Sequence, residues 1–179
     1  MEPEENLMEM RLPFPKRSTA AQSDGGGISE RRKQRLRRDV DRHIERHLKA
    51  LGVPRPAGAK QTDGWHFIVL GSAPGRVGVV ESGGDLYLHA EALIMDKLPS
   101  DQDLMLPLMR ELLEMNATLP EAVRLVIAND CVLAMVNRRV ASLSDAEVAN
   151  SIDSVMAIAD GLDDGFKAKY GGSSRKRGR

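Results

Sequence analysis

Apolar residues recur at helical spacing in three stretches of the chain. In the first, over residues 29–51, they lie three or four positions apart, at Leu36, Val40, Ile44, Leu48 and Leu51. Gly52 follows directly, so we predict a helix that ends there. A second helix is predicted over residues 103–116, where one face carries Leu104, Met105, Leu108, Leu112 and Met115. Each helix has an apolar face that needs a packing partner.

The third helix has the clearest start signal in the chain. Ser144 can cap its first turn, and Glu147 stands three residues later to complete a capping box. Leu143 and Val148 have the spacing of a hydrophobic staple around the same cap. From Val148 onward, apolar residues recur at intervals of four and three. This pattern predicts a long closing helix with a continuous apolar face.

Alternation of apolar and polar residues predicts five short strands, over residues 65–69, 77–79, 86–89, 123–127 and 132–136. Loops over residues 71–75 and 82–85 are short enough to join the first three strands as an antiparallel meander. Asn129 and Asp130 tolerate the tight turn between the last two. The order of helix, three strands, helix, two strands and helix predicts an α+β fold, in which helices pack on a largely antiparallel five-stranded sheet.

These elements occupy one stretch of the chain. We predict a single α+β domain over residues 29–171, which is a common domain size. Residues 1–28, rich in proline and glycine, are expected to form a flexible leader, and residues 172–179 a basic disordered tail.

Composition favours an intracellular protein with an aliphatic core. Aromatic residues make up only 3% of the chain, whereas methionine occurs nine times and adapts well to irregular gaps or varied partners. The single cysteine, Cys131, cannot form an intramolecular disulfide, and the N-terminal stretch lacks the apolar run of a signal peptide. No stretch is long and apolar enough to suggest a membrane span. We therefore expect a cytoplasmic protein.

Charge is balanced overall but unevenly distributed. Residues 29–51 carry nine basic and four acidic side chains, whereas residues 52–174 carry ten basic and seventeen acidic ones. The basic helix suggests possible anion binding through Arg31, Arg32, Lys33, Arg35, Arg37 and Arg38. An adaptor that binds nucleic acid or an anionic surface through this helix and the basic tail is therefore the alternative function. The small number of aromatic residues argues against a base-stacking platform.

The motifs that suggest metal or phosphate chemistry are incomplete. His43 and His47 lie one helical turn apart, but two imidazoles fill only half of a tetrahedral site. Residues 160–165 resemble a calcium loop, yet Leu162 replaces the third ligand and Gly171 the bidentate glutamate. Residues 71–76 lack the lysine and hydroxyl pair of a phosphate-binding loop. We predict no metal and no cofactor.

Catalytic signals are equally weak. Cys131 begins an apolar strand, where a buried structural thiol is the common case. His66 and His89 lie on neighbouring strands and, if folding brought them together near acidic groups, would be the main candidates for acid–base chemistry. We expect that the protein is not an enzyme.

The order of elements and one segment resemble a known family. Residues 112–117, Leu-Leu-Glu-Met-Asn-Ala, lead into two strands and a long closing helix that runs from Ala159-Asp160 to Tyr170-Gly171. This arrangement resembles the bacterial type III secretion chaperone-like superfamily, of the CesT and YbjN types. The resemblance covers roughly residues 29–171 and is strongest over residues 104–171.

The resemblance implies a homodimeric, non-catalytic chaperone that holds a partner protein, such as a secretion effector, on apolar sheet and helix surfaces. By position, it implies a dimer interface on the second helix at Leu108, Leu112 and Met115. It likewise implies partner contacts on the strands at Phe67, Val77, Val79 and Leu88. The arginine-rich first helix, the leader and the basic tail depart from the usual family pattern.

Overall fold

The computed structural model describes residues 28–53, 60–61, 63–119 and 122–171. The predicted basic tail, and the predicted leader except for Ile28, lie outside the described residues. The elements are α1 (Glu30–Ala50), β1 (His66–Leu70), β2 (Ala73–Ser82), β3 (Asp85–Met95), α2 (Gln102–Asn116), β4 (Val123–Ala128), β5 (Cys131–Arg139) and α3 (Asp145–Tyr170). The predicted α+β class and element order are confirmed.

The five strands form one antiparallel sheet in the order β1-β2-β3-β5-β4. Two-residue turns join its three hairpins, and in two of these turns both central residues have positive φ. They are Gly83 and Gly84 (59° and 82°) between β2 and β3, and Asn129 and Asp130 (48° and 65°) between β4 and β5. Such turns match the twist of the flanking strands, which is why glycine, asparagine and aspartate occur there.

Two strands are longer than the sequence predicts. β2 already begins at Ala73, so the predicted loop over residues 71–75 shrinks to a two-residue turn. Position 75 lies within this strand and is occupied by glycine because α3 passes close to it. A Cβ atom there would lie 2.6 Å from the sulfur of Met156. β3 continues to Met95, and its second half is mostly buried, so it shows little of the alternation that marks a half-exposed strand.

The hydrophobic core lies between one face of the sheet and the helices. α3 packs across the centre of this face, with Val148, Ile152, Val155, Ala159 and Phe166 buried. The predicted capping box is present: the Ser144 hydroxyl accepts from the Glu147 backbone N–H, and the Glu147 carboxylate accepts from the Ser144 backbone N–H. α1 lies beside α3 and buries Val40, Ile44 and Leu48.

α2 packs against β4 at one side of the sheet. At its end, the Asn116 side-chain amide donates to the Leu125 carbonyl at 3.0 Å and accepts from the Leu125 N–H at 2.8 Å. Glu111 joins the same helix to the end of α3, because it accepts hydrogen bonds from Lys169 and Tyr170. The Lys169 ammonium, with help from the Tyr170 hydroxyl, lowers the pKa of Glu111 below its ordinary value. These contacts fix the orientation of α2.

Candidate functional site

The second face of the sheet is not covered by any helix within the described residues. Antiparallel pairing aligns Phe67, Arg76, Glu91, Met135 and Arg124 across the five strands on this face. A groove of about 370 Å³ runs over it and is lined by Trp65, Arg76, Val80, Glu81, His89, Glu91, Val126, Ala128, Leu133, Met135 and Asn137. We call it the open-face groove. Six of its lining residues are apolar, and the others are Glu81 and a polar cluster on β2, β3 and β5 that consists of Arg76, His89, Glu91 and Asn137.

The polar cluster joins three strands. The Arg76 guanidinium donates to Glu91, and the two residues are only 9% and 5% exposed. The other carboxylate oxygen of Glu91 lies 3.0 Å from His89 Nε2, and His89 Nδ1 lies 2.6 Å from the Asn137 side-chain oxygen. Burial lowers the pKa of Arg76, and the Glu91 carboxylate opposes that shift. The cluster is therefore a paired, largely desolvated network within an apolar groove.

Trp65 covers one side of this cluster. The Arg76 guanidinium lies 4.1 Å from the centre of the indole ring, within cation–π distance. The His89 ring meets the indole edge-on, with 5.4 Å between ring centres. Gly78 lies against the indole, and a Cβ atom at this position would lie 3.0 Å from the ring. A glycine in the strand thus leaves room for an aromatic ring at the entrance to the groove.

The structure does not bring the four predicted partner contacts together on one surface. Phe67 is half-buried on the open face. Val77 and Leu88 are fully buried under the helices, and Val79, on the same face, is half-buried beside α1. Successive residues of a strand point to opposite faces, and the strand pairing puts Phe67 out of phase with the other three. Val77 and Leu88 therefore serve the core.

Sequence reasoning missed most of the groove lining. Val80, Val126, Leu133 and Met135 all belong to predicted or observed strands, but nothing in their spacing tells which alternate set faces the helices. One feature of the sequence did point to the groove: β5 has apolar residues at successive positions. Val132 and Leu133 are both buried, on opposite faces of the sheet. A strand that is apolar on both sides indicates that both faces of the sheet contact other apolar groups.

The second helix presents a different set of side chains from the predicted dimer interface. Leu108 and Leu112 are buried within the chain itself, at 0% and 5% exposure, and Met115 is half-buried. The exposed apolar residues are Leu106 (74%), Met109 (46%) and Leu113 (71%). We call these three residues the outer face of α2. Dimerisation through this helix stays a prediction, but the residues available for it are those of the outer face.

The basic residues of α1 divide into two groups. Lys33 and Arg37 both bind Glu81 at the end of β2, and Arg37 also donates to the Val79 carbonyl at 3.0 Å. The Lys33 ammonium hydrogen bond lowers the pKa of Glu81 below its ordinary value. The other members of the predicted anion-binding set remain exposed, namely Arg31, Arg32, Arg35 and Arg38. Two of the six predicted residues thus attach the helix to the sheet.

The histidines do not form a shared site among the described residues. His43 Nε2 lies 2.9 Å from Asp145, and His47 Nε2 lies 2.7 Å from Asp153, so both attach α1 to α3. His66 is fully buried on the helix side near Asp41, whereas His89 lies on the open face, so the two strand histidines do not meet. Across the described part of the chain, no group of three or more His, Cys, Asp or Glu side chains is placed to hold a metal.

Cys131 is buried, and its thiol donates to the Asp96 carbonyl at 3.3 Å. Burial, together with the nearby Asp96 and Asp130 carboxylates, raises the pKa of this thiol. A raised pKa lowers the thiolate fraction and hence the nucleophilicity of Cys131.

The apparent calcium loop lies inside α3, where Asp160 accepts hydrogen bonds from the backbone N–H and the hydroxyl of Ser72. None of the described helices is long and apolar enough to cross a membrane.

Comparisons with known proteins show the fold. Neither a protein-family model nor a curated protein matches the chain. Among solved structures, the chain is similar to a chain of the crystal structure of the ExsC–ExsE complex, with a TM-score of 0.55 and 13% identity. The alignment covers 72% of this chain and 94% of that one. The chain therefore shares its overall fold with that chain.

Proposed function

We propose that this protein is a non-catalytic, cytoplasmic, chaperone-like module that holds an extended segment of a partner protein in the open-face groove. The proposal includes membership of the type III secretion chaperone-like superfamily, of the CesT or YbjN type, and an effector-like or regulatory partner. The observation that carries it is the groove on the face of the sheet that none of the described helices covers. The fold shared with a chain of the ExsC–ExsE complex supports the same proposal.

The groove has the chemistry of a peptide-binding surface. Its apolar lining, with Val80, Val126, Leu133 and Met135, offers non-directional contacts that accept varied side chains. Trp65 adds a flat aromatic surface at one end, next to the Arg76–Glu91 pair. Apolar pockets with a few fixed polar groups are typical of binding sites, in which the polar groups set the orientation of the ligand.

Site-specific photocrosslinking tests this function. A photoreactive amino acid replaces Val126 in the groove, and a matched variant carries it at Ala157, an exposed position on α3. In host cells, we expect the Val126 variant to crosslink to one segment of a partner protein, identified by mass spectrometry, and the Ala157 variant not to do so. Equal crosslinking from both positions, or none from Val126, would contradict the proposal.

We propose that two copies associate through the outer face of α2. Leu106 and Leu113 are largely exposed leucines seven residues apart, so they lie on one side of the helix. Light scattering on the wild-type protein should give the mass of a dimer, and Leu106→Glu with Leu113→Glu should give a monomer. The control pair is Ala146→Glu with Ala157→Glu, which adds the same charge at exposed positions of α3. A wild-type protein that stays monomeric at micromolar concentration would refute the dimer.

Anion binding by α1 is the second candidate, favoured by one observation. Arg31, Arg35 and Arg38 are exposed and spaced four and three residues apart, so they form a basic stripe on the helix. Arg31→Gln, Arg35→Gln and Arg38→Gln together should weaken retardation of DNA or RNA at low salt. Arg37→Gln is the control, because Arg37 already binds Glu81. No retardation of nucleic acid by the wild-type protein would eliminate this candidate.

A further inference from the structure

Part of the leader sequence has the pattern of an extended apolar segment. Over residues 8–14, Met8, Met10, Leu12 and Phe14 alternate with Glu9, Arg11 and Pro13. In an extended chain this alternation places the four apolar side chains on one side. Pro13 and Pro15 oppose a helix here and favour an extended conformation.

The segment and the open-face groove match in size. Seven extended residues span about 20 Å, and the five strands of the sheet span about 19 Å at their usual spacing. Proline-flanked extended segments dock well in grooves that contain an aromatic surface, and Trp65 provides one. The apolar side chains of the segment are the kind that the groove lining of Val80, Val126, Leu133 and Met135 accepts.

The described chain begins close to the rim of the groove. Lys33, in the first turn of α1, binds Glu81, and Glu81 and Val80 both line the groove. Thirteen residues separate Phe14 from Ile28. A connection of this length reaches about 45 Å when extended, which is more than the width of the sheet. The leader can therefore return to the open face of its own chain.

Charge favours one direction of binding. Residues 1–9 contain four glutamates and no basic residue. On the open face, Arg124 is exposed on β4, the edge strand farthest from β1, whereas Arg139 of β5 already pairs with Asp85. With Phe14 near Trp65 and Met8 near β4, the glutamates lie beside Arg124. The same direction leaves residues 15–27 on the side where α1 begins.

We infer that residues 8–14 of the leader bind in the open-face groove of the same chain, so that an incoming partner segment must displace them. Tethering gives such a segment an effective concentration of about a millimolar, so even a weak contact is well populated. The chain thereby shields its own apolar groove when it has no partner. This contact does not depend on the existence of the proposed partner, so the two hypotheses fail separately.

Trp65 is the only tryptophan of the chain, so its fluorescence reports on the groove. The experiment compares acrylamide quenching in the full-length wild type and in the full-length variant Met10→Ser/Leu12→Ser/Phe14→Ser. We expect the quenching constant of the variant to be about twofold higher, because its leader is mostly unbound. The control, Thr19→Ser/Ala20→Ser/Ala21→Ser, changes three leader residues outside the segment and should match the wild type.

A peptide of residues 5–17, added to the triple variant, should restore the wild-type quenching constant, and a peptide with the three serines should not. Equal quenching in the wild type and the triple variant would overturn the inference, as would failure of the native peptide to protect Trp65. A difference that disappears on dilution of the wild type would also overturn it, because the leader would then bind a second copy.

Discussion

The two faces of the sheet are built from the same strands but differ in what lies against them. Val77, Leu88, Ala90 and Ala134 are almost fully buried on the face that carries the helices. The open face alternates with it residue by residue and combines apolar side chains with the desolvated Arg76–Glu91 pair. Single-residue alternation thus lets one set of strands supply both a core and a second face that the described helices leave open. Substitutions on the two faces should therefore have different consequences, and three predictions test this comparison.

The largest effect is expected on the helix face. Leu88→Ala removes a fully buried side chain and should lower the free energy of unfolding by about 4 kcal/mol. The control on the open face is Val126→Ser, which should change it by less than about 1 kcal/mol because Val126 is only half-buried. Urea denaturation followed by circular dichroism measures both. Similar losses for the two variants would remove the distinction between the faces.

An intermediate effect is expected from the polar cluster of the open face. Glu91→Gln leaves the Arg76 guanidinium largely buried without its countercharge and should cost about 2 kcal/mol of unfolding free energy. The double variant Arg76→Met/Glu91→Met replaces both charges with apolar groups and should recover most of this loss. The same denaturation measurements give the coupling between the two positions. If Glu91→Gln is as stable as the wild type, the pair is not desolvated as the structure indicates.

The smallest effect concerns the boundary between the faces, where Lys33 and Arg37 attach α1 to Glu81. The hydrogen bond from Lys33 lowers the folded-state pKa of Glu81 below its ordinary value of 4.5. The stabilisation is therefore complete above that value and is lost as the pH falls through the lower folded-state pKa. Glu81→Gln should lose a small part of the stability at neutral pH and show a flatter pH dependence below 4.5. Parallel pH dependences for the two proteins would contradict the role of this ion pair.

The elements could be predicted from the sequence because their signals are local. The capping box at Ser144 and Glu147 needs only four consecutive residues, and the helix begins where that motif places it. The left-handed turn at Asn129 and Asp130 is likewise local. The missed part of β2 contains Pro74 and Gly75, which usually mark a loop, and the close approach of Met156 and of the Glu91 backbone carbonyl explains the glycine there.

The site depends on contacts between distant parts of the chain, which the sequence does not encode locally. Arg76, His89 and Asn137 meet because three strands pair in one register. The second helix shows the same limit, since it carries apolar residues on more than one side. Leu112 and Leu113 are adjacent in sequence, yet one is buried against the sheet and the other is 71% exposed. Only the packing of α2 against β4 decides between them.

The amide of Asn116 has a consequence for how the sheet can grow. It occupies the outward N–H and carbonyl of Leu125 on the edge strand β4, so another strand cannot pair there without displacing it. On the opposite edge, among the described residues, only Lys60 pairs with the outer side of β1, at His66. Continuous extension of the sheet needs two free edges on each molecule, whereas the described residues leave only the β1 edge open. Edge-to-edge assembly should therefore end at a closed pair and not continue into a fibre.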